Sequence, residues 1–442
     1  MNVWVALIIC VAILLLQINS DRKNKTFDFF NVRYAFEFYY ILILPISGLF
    51  YHYYPPANAF THQLNNDTEF IVSVLVILGF TSFAFGNYCG KRVKIIAGRN
   101  HQKTVYTYIT TLSSDFLAIV FLLIGYFGMY MLMRKYGGIS SFLTNIETFR
   151  NTGLIGNGIY MLAIDGFLPM SSAIYLMGHR NVIGNKKIRV IFVFLFLLTV
   201  IPTFVLGFRG IILAAACINV ISYNYYINKI KGSSILFFGI IGLIILMAYS
   251  LFRGDQTLTV RALTHQTLDP KNLFSFIYRV DGYGVVGKVV DNIKGSNDFQ
   301  YGYMTIFEMF TILIPRSLWP NKPIAKSVRF SEVFFHLNGG VSPTIIGETY
   351  WDFGLFGVVV ILFLLGFIYA QVFKNCILES TSSFKMLIYS VCFYYMFYMA
   401  EAISGQLNSI WMSLVVVFCV YAFCAVTKSI GKLYPNFGKY NE

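Results

Sequence analysis

Eleven apolar runs, separated by short polar connections, alternate along the chain, and one polar stretch of 100 residues, 253–352, interrupts them after the eighth. The runs lie at 3–19, 34–53, 69–88, 115–133, 157–178, 190–206, 210–228, 233–252, 353–373, 386–402 and 408–427. At 1.5 Å per residue a helix needs about 17–25 predominantly apolar residues to cross the hydrocarbon of a bilayer, and these runs meet that length. They are apolar on all sides, as a helix is when lipid rather than water surrounds it. The pattern predicts an all-α polytopic integral membrane protein with about eleven transmembrane helices. It divides into eight helices with short loops (1–252), a large loop (253–352), and three helices with a tail (353–442).

Charge gives the expected orientation. Every second connection is basic. These connections, with Arg22, Lys23, Lys25 and Arg33 in the first and Lys91 and Arg92 opening the third, hold 20 Lys and Arg; the opposite short loops hold only four. Cytoplasmic loops carry the excess of Lys and Arg. The N-terminus and the long loop are therefore expected outside, and the C-terminus in the cytoplasm. The first run has no basic residue before it and no small-residue cleavage site after it, so it reads as a retained span.

Composition narrows the function. The chain is 57% hydrophobic and 12% charged, with a net charge of +14. Its basic residues sit in short clusters between spans and not along a polar face, which excludes nucleic acid as the partner. Seven cysteines lie outside the long loop with no Cys-x-x-Cys pair, and six histidines show no His-x-x-x-His spacing. No disulfide framework or metal site is expected. Asn66-Asp67-Thr68-Glu69 has the spacing of a helix-capping box at the start of the third span.

The long loop holds the candidate chemistry. An apolar and aromatic stretch, 301–314, is too short to span and predicts an interfacial or re-entrant helix. Directly after it comes Ile314-Pro315-Arg316-Ser317-Leu318-Trp319-Pro320-Asn321-Lys322-Pro323, whose three prolines forbid a continuing helix. The stiff turn would hold Arg316 and Lys322 beside Trp319 at headgroup depth. Residue types leave two uses open for this pair: a clamp on a phosphate or pyrophosphate, or an anchor for anionic headgroups. The loop closes with Val341-Ser342-Pro343-Thr344-Ile345-Ile346-Gly347-Glu348-Thr349-Tyr350-Trp351-Asp352. Glu348 and Asp352 are four apart and share one face if the helix already runs at Glu348. Either is explained by the positive N-terminal end of a helix, or as a base facing a sugar hydroxyl, with Tyr350 and Trp351 as surfaces for sugar rings. Outside the loop, Glu37, Asp165 and Glu401 interrupt spans. Intramembrane carboxylates either pair across helices or mark a functional site. His336, in the loop, reads as a solvated surface residue.

The Ile-Pro-Arg-Ser-Leu-Trp-Pro-Asn-Lys-Pro segment, followed by Ser-Pro-Thr-Ile-Ile-Gly-Glu-Thr-Tyr-Trp-Asp-Phe-Gly at the entry to a span, resembles the oligosaccharide repeat-unit polymerases. These form the Wzy family of O-antigen and related polymerases. The Gly207-Phe208-Arg209-Gly210 turn is similar to that family's arginine between two central spans, and Arg329 and Gly340 stand in an Arg-x10-Gly spacing described for some members. The resemblance implies a GT-C-like helical fold with a large periplasmic loop, in the inner (plasma) membrane of a bacterium. It implies transfer of the growing glycan from undecaprenyl pyrophosphate to the non-reducing end of a lipid-linked repeat unit. No metal or cofactor is implied, and a Wzz-type chain-length regulator is the implied partner. Arg209, Arg253, Arg316 and Lys322 would then gather at the pyrophosphate, Trp319 and Tyr350 would line the glycan, and Glu348 would deprotonate the acceptor. Two other functions remain open on these residues: a ligase that passes glycan to a lipid A–core acceptor, and a flippase for lipid-linked oligosaccharide. A flippase needs cations inside the spans, where this chain has no Lys or Arg.

Overall fold

In the computed structural model of the chain, the residues described are 2–55, 59–93, 111–138, 158–205, 209–235, 237, 239–242, 281–293, 298–302, 314, 318–324, 326–337, 341–379 and 382–433. All regular structure among them is helical. The protein is an all-helical, multi-pass membrane protein. Helices α1 (Val3–Lys23), α2 (Val32–Tyr53), α3 (Asn66–Arg92), α4 (Thr111–Lys135) and α5 (Gly158–Gly178) come first. They are followed by α6 (Lys186–Val205), α7 (Arg209–Tyr226), α8 (Gly282–Asn292) and α9 (Lys326–Phe335). The last three are α10 (Ile345–Leu378), α11 (Ser383–Tyr398) and α12 (Ile403–Leu433).

Seven of these helices are long and apolar enough to cross a membrane: α1 to α5, α10 and α12. Large apolar side chains such as Leu15 and Leu16 on α1, or Phe116, Leu123 and Phe127 on α4, are exposed on the bundle's exterior, as lipid requires. The expected eighth span, 233–252, is helical at 232–235, 237 and 239–242, and the rest of it lies outside the described residues. Pro202 sits inside α6 three residues before its end; its missing N–H leaves the Leu198 carbonyl without its helical donor, and the Tyr126 hydroxyl donates to that carbonyl at 2.8 Å. The cap of α3 falls one residue earlier than the sequence spacing indicated. Asn65, not Asn66, accepts the Thr68 N–H at 2.7 Å, and Glu69 instead takes the Val3 N–H at 3.3 Å.

Ends of α1, α2 and α3 are tied by a buried polar network. Arg33, expected in a connection, lies in the first turn of α2 and is buried. Its guanidinium donates to Asp21 at 2.8 Å and to Asn87 at 3.2 Å, with Glu37 3.9 Å away. Lys91 reaches Asp21 at 2.8 Å, and the Tyr34 hydroxyl donates to the same carboxylate at 2.7 Å. Glu37 is thus a network member, paired within its own helix to Arg33, and the desolvation of each charge is offset by the others.

α3 and α10 run side by side in the same direction. Gly86 lies under the Phe363 carbonyl, Gly90 against Phe367, and Gly366 under the Phe83 carbonyl. With no hydrophobic force between helices in lipid, such backbone contact at small residues supplies the packing.

α10 is a hairpin. Phe353 (φ −144°) and Gly354 (φ 63°, ψ −150°) break it into an outer arm, 345–352, and a long arm, 355–378. Ile346 and Leu362 both stand against Gly79, and Gly357 lies against the Thr349 carbonyl, so the arms are antiparallel. Gly79 is mid-way along α3, so the outer arm starts deep in the bundle and climbs to the break. The carbonyls of Trp351 and Asp352, released from helical bonding there, accept the Gln300 and Tyr301 N–H groups at 3.1 and 2.9 Å. The span boundary expected at residue 353 coincides with this break; the arm before it is buried structure, not loop.

The described part of the long loop enters the bundle. Asp281 caps α8 through Gly284 N–H at 2.9 Å and also accepts from Phe60 and Thr61 N–H at 3.2 and 2.6 Å and from the Thr61 hydroxyl. Burial raises the Asp281 carboxyl above its ordinary value, while those donors act to lower it. Tyr283 next to it is fully buried, donating to the Glu69 carbonyl at 2.9 Å, with Ser73 Oγ 2.6 Å away. The expected helix at 301–314 lies mostly outside the described residues.

Gly354→Ala tests the hairpin. Its φ and ψ are open essentially to glycine alone, a cost of about 1–3 kcal/mol, and a Cβ would stand 2.7 Å from the Phe299 ring. The variant should unfold at lower temperature in detergent, whereas Leu355→Ala, an exposed neighbour, should not.

Candidate functional site

α9 presents an apolar side made of Phe330 and Phe334, which pack with Val285, Val289 and Trp351. Lys326, in the first turn of α9, is carried into this apolar surround and is 0% exposed. An ammonium cannot stay there alone. Its Nζ lies 2.7 Å from Asp352 Oδ2 and 3.3 Å from Glu348 Oε1, with the Trp351 ring 5.8 Å away. The i, i+4 spacing of the two carboxylates does put them on one face of the outer arm, and that face meets the lysine. Glu348 is 1% exposed and also accepts the N–H of Ile403 at 2.7 Å and of Ser404 at 3.1 Å, the start of α12. One carboxylate thus joins the long loop, the hairpin and α12, and the positive end of α12 helps to hold its charge. Thr344, at φ 57°, caps the arm through Gly347 N–H at 3.2 Å, and Ile345 N–H donates to the Ala400 carbonyl at 3.0 Å.

The other expected site residues are placed as follows. Tyr350 is half-buried and packs against the hydrophobic clusters on both sides of the arm. Trp319 and Lys322 form a tight turn in which Lys322 N–H donates to the Trp319 carbonyl at 3.1 Å, and Lys322 Nζ donates to the Ile314 carbonyl at 3.2 Å. Lys322 stands four positions before Lys326, so their Cα atoms lie within about 14 Å of each other. Arg209 opens α7, and Gly210 after it stands where a Cβ would be 3.5 Å from the Tyr394 hydroxyl. Arg253 and Arg316 lie outside the described residues, as does Gly340; Arg329 is half-buried on α9. His336 is exposed and ends α9 in the left-handed conformation (φ 55°).

Two intramembrane carboxylates remain. Asp165 lies in a wide turn of α5, 162–167, and its Oδ1 accepts no hydrogen bond among the described residues. Glu401 is half-buried in the link between α11 and α12 and accepts the Tyr39 hydroxyl at 3.0 Å.

Lys326 was the residue sequence reasoning missed. Its signal was the amphipathic pattern of 326–335, which places Lys326 on the side of Phe330 and Phe334 at four- and eight-residue spacing.

The model of the family described as "Putative O-antigen polymerase" matches residues 4–409. No curated protein and no solved structure matches the chain.

Lys326→Met removes the buried cation that both carboxylates face and should destabilise the protein by about 3–5 kcal/mol. The triple variant Lys326→Met, Glu348→Gln, Asp352→Asn should recover much of that loss. Thermal unfolding in detergent measures both; a single variant as stable as the parent would show that the triad is not a buried ion cluster.

Proposed function

The chain belongs to the O-antigen polymerase family, and on that premise we propose that it is a membrane glycosyltransferase that extends a lipid-linked glycan. The donor is the growing chain on undecaprenyl pyrophosphate, and the acceptor is the non-reducing end of a new lipid-linked repeat unit. In this reading eleven helices in a GT-C-like arrangement stand in the bacterial inner membrane, with the N-terminus outside and the C-terminus in the cytoplasm. The stretch 253–352 is the periplasmic part between eight and three helices. A Wzz-type regulator would set chain length from that side.

The observation that carries the reading is the inward course of the long loop. A segment that merely capped the membrane would lie on its surface. Here Lys326, the outer arm and Glu348 reach the start of α12, and Gly210 brings the start of α7 to Tyr394 on the neighbouring α11. Lys326 of the loop thus meets the start of α12, and α7 starts beside α11; a reaction between two lipid-linked substrates needs such an inward course to bring them together.

The leaving group is a pyrophosphate and is already activated, so the protein must mainly orient substrates and stabilise departing negative charge. Arg209, Arg253, Arg316 and Lys322 are assigned that task, with Trp319 and Tyr350 as apolar walls for lipid and sugar. Glu348, expected from sequence as the base, is engaged by Lys326 and by two backbone N–H groups. Its proposed task is to position the arm that carries Tyr350. No step calls on a metal ion.

Purified protein incubated with its own lipid-linked repeat unit should yield a ladder of lengths. Transfer to a lipid A–core acceptor without elongation would indicate a ligase instead, and movement of intact lipid-linked units across vesicles a flippase. Arg209→Ala, Arg316→Ala and Lys322→Ala should each slow ladder formation by about 100-fold. Arg316→Lys should not restore the rate, because an ammonium lacks the bidentate fork.

A further inference from the structure

We propose that the segment 314–324 and one exposed side of α9 dock on the lipid leaflet at the hairpin end of the bundle, with Leu318 inserted among the lipid chains. The docking is independent of the polymerase reading; only its consequence for Lys322 rests on that reading.

The long arm of α10 carries no charged residue from Leu355 to Phe373, and Lys374 follows. That stretch rises about 28 Å, close to the roughly 30 Å of hydrocarbon. The break at Gly354 therefore marks the border between lipid chains and headgroups. Leu355 and Phe356, just inside it, are exposed, as lipid-facing residues are. α9 is tied to the same level at both ends. Lys326, its first residue, reaches Asp352, two positions before the break. Phe330 and Phe334 stand with their rings 5.7 and 5.1 Å from the Trp351 ring. The helix thus runs along the border and does not stand out into water.

At this depth α9 and the segment before it expose apolar side chains. Val333 and Ile324 are exposed, and Leu318 is exposed at 78%. The segment closes on itself: Lys322 Nζ donates to the Ile314 carbonyl at 3.2 Å, and Lys322 N–H to the Trp319 carbonyl at 3.1 Å. Leu318, midway between 314 and 322, stands at the apex, with half-buried Trp319 beside it. A leucine tip, an indole at its base and the cations of Lys322 and Arg329 behind them match the layers of a leaflet: chains, boundary, phosphates. Tyr301, also exposed, donates its N–H to the Asp352 carbonyl and adds a second aromatic ring at the border. Glu332 and His336 form the neighbouring stripe of α9 and face water. Continuity identifies the occupant. Lipid already covers Leu355 and Phe356, and the apolar side chains of α9 and of the closed segment stand at the same border.

The consequence concerns Lys322. With Leu318 anchored in the chains, the closed segment holds Lys322 in the headgroup layer, the depth at which the pyrophosphate of a lipid-linked glycan lies. The docking takes no part in bond making or breaking; it sets the height of the cation.

The test is the fluorescence of the full-length protein in liposomes of purified phosphatidylethanolamine and phosphatidylglycerol. The difference between the parent and Trp319→Phe isolates the emission of Trp319. Lipids brominated near the headgroup should quench it by about twofold or more, and aqueous iodide far less. Leu318→Asp should raise quenching by iodide by about twofold and weaken quenching by the brominated lipid. Its unfolding temperature in detergent should match the parent's, because the side chain is largely exposed. Trp319 emission quenched by iodide and not by brominated lipid overturns the docking. Quenching by neither places protein, a second copy included, over this face and overturns it as well. So does lipid quenching that appears only after polyprenyl phosphate is added, which would assign the face to the carrier chain. An unchanged Leu318→Asp profile overturns the insertion of Leu318. No measurement here uses a lipid-linked glycan, so the docking stands or falls apart from the polymerase reading.

Discussion

A single ammonium group set between two carboxylates organises the end of the bundle where the long loop, α10 and α12 meet. Lys326 is fully buried, and neither it nor Glu348 and Asp352 would tolerate that environment without the others. The backbone N–H groups of Ile403 and Ser404 also donate to Glu348. The cluster's members come from the long loop, the outer arm of α10 and, through the backbone, the start of α12. The pairing of buried charge thus fixes where three distant pieces of chain meet.

The hairpin follows from the same constraint. For both carboxylates to face Lys326, the arm 345–352 must be helical, and for the arm to lie against the long arm the chain must reverse within two residues. Gly354, at a backbone conformation closed to other residues, permits that reversal. The loop strand at Gln300 and Tyr301 then satisfies the two carbonyls the reversal exposes. Below the hairpin, the Gly86–Phe363 and Gly366–Phe83 contacts let α3 and α10 approach to backbone distance. The result is a rigid frame beneath a region that must hold two large substrates in register.

Carboxylates held by a cation and by backbone donors build this frame. Asp21 and Glu37, in the opposite cluster with Arg33 and Lys91, belong to the scaffold by the same criterion.

The apolar runs and their spacing determined by themselves that this chain is a helical membrane protein, because hydrocarbon demands internal hydrogen bonding over a fixed length. The four-residue spacing of Glu348 and Asp352 also allowed a shared face, provided a helix ran through both; that the helix starts at Ile345 was not legible. The Ile-Pro-Arg and Gly-Glu-Thr-Tyr-Trp-Asp segments were enough to place the chain near its family. Which carboxylate is spoken for was decided only in three dimensions. Lys326 lies 22 residues before Glu348, and Ile403 lies 55 after it; no local pattern joins them. Whether a charge is a strut or a reactive group depends on what desolvates it and what neutralises it, and both come from residues remote in sequence.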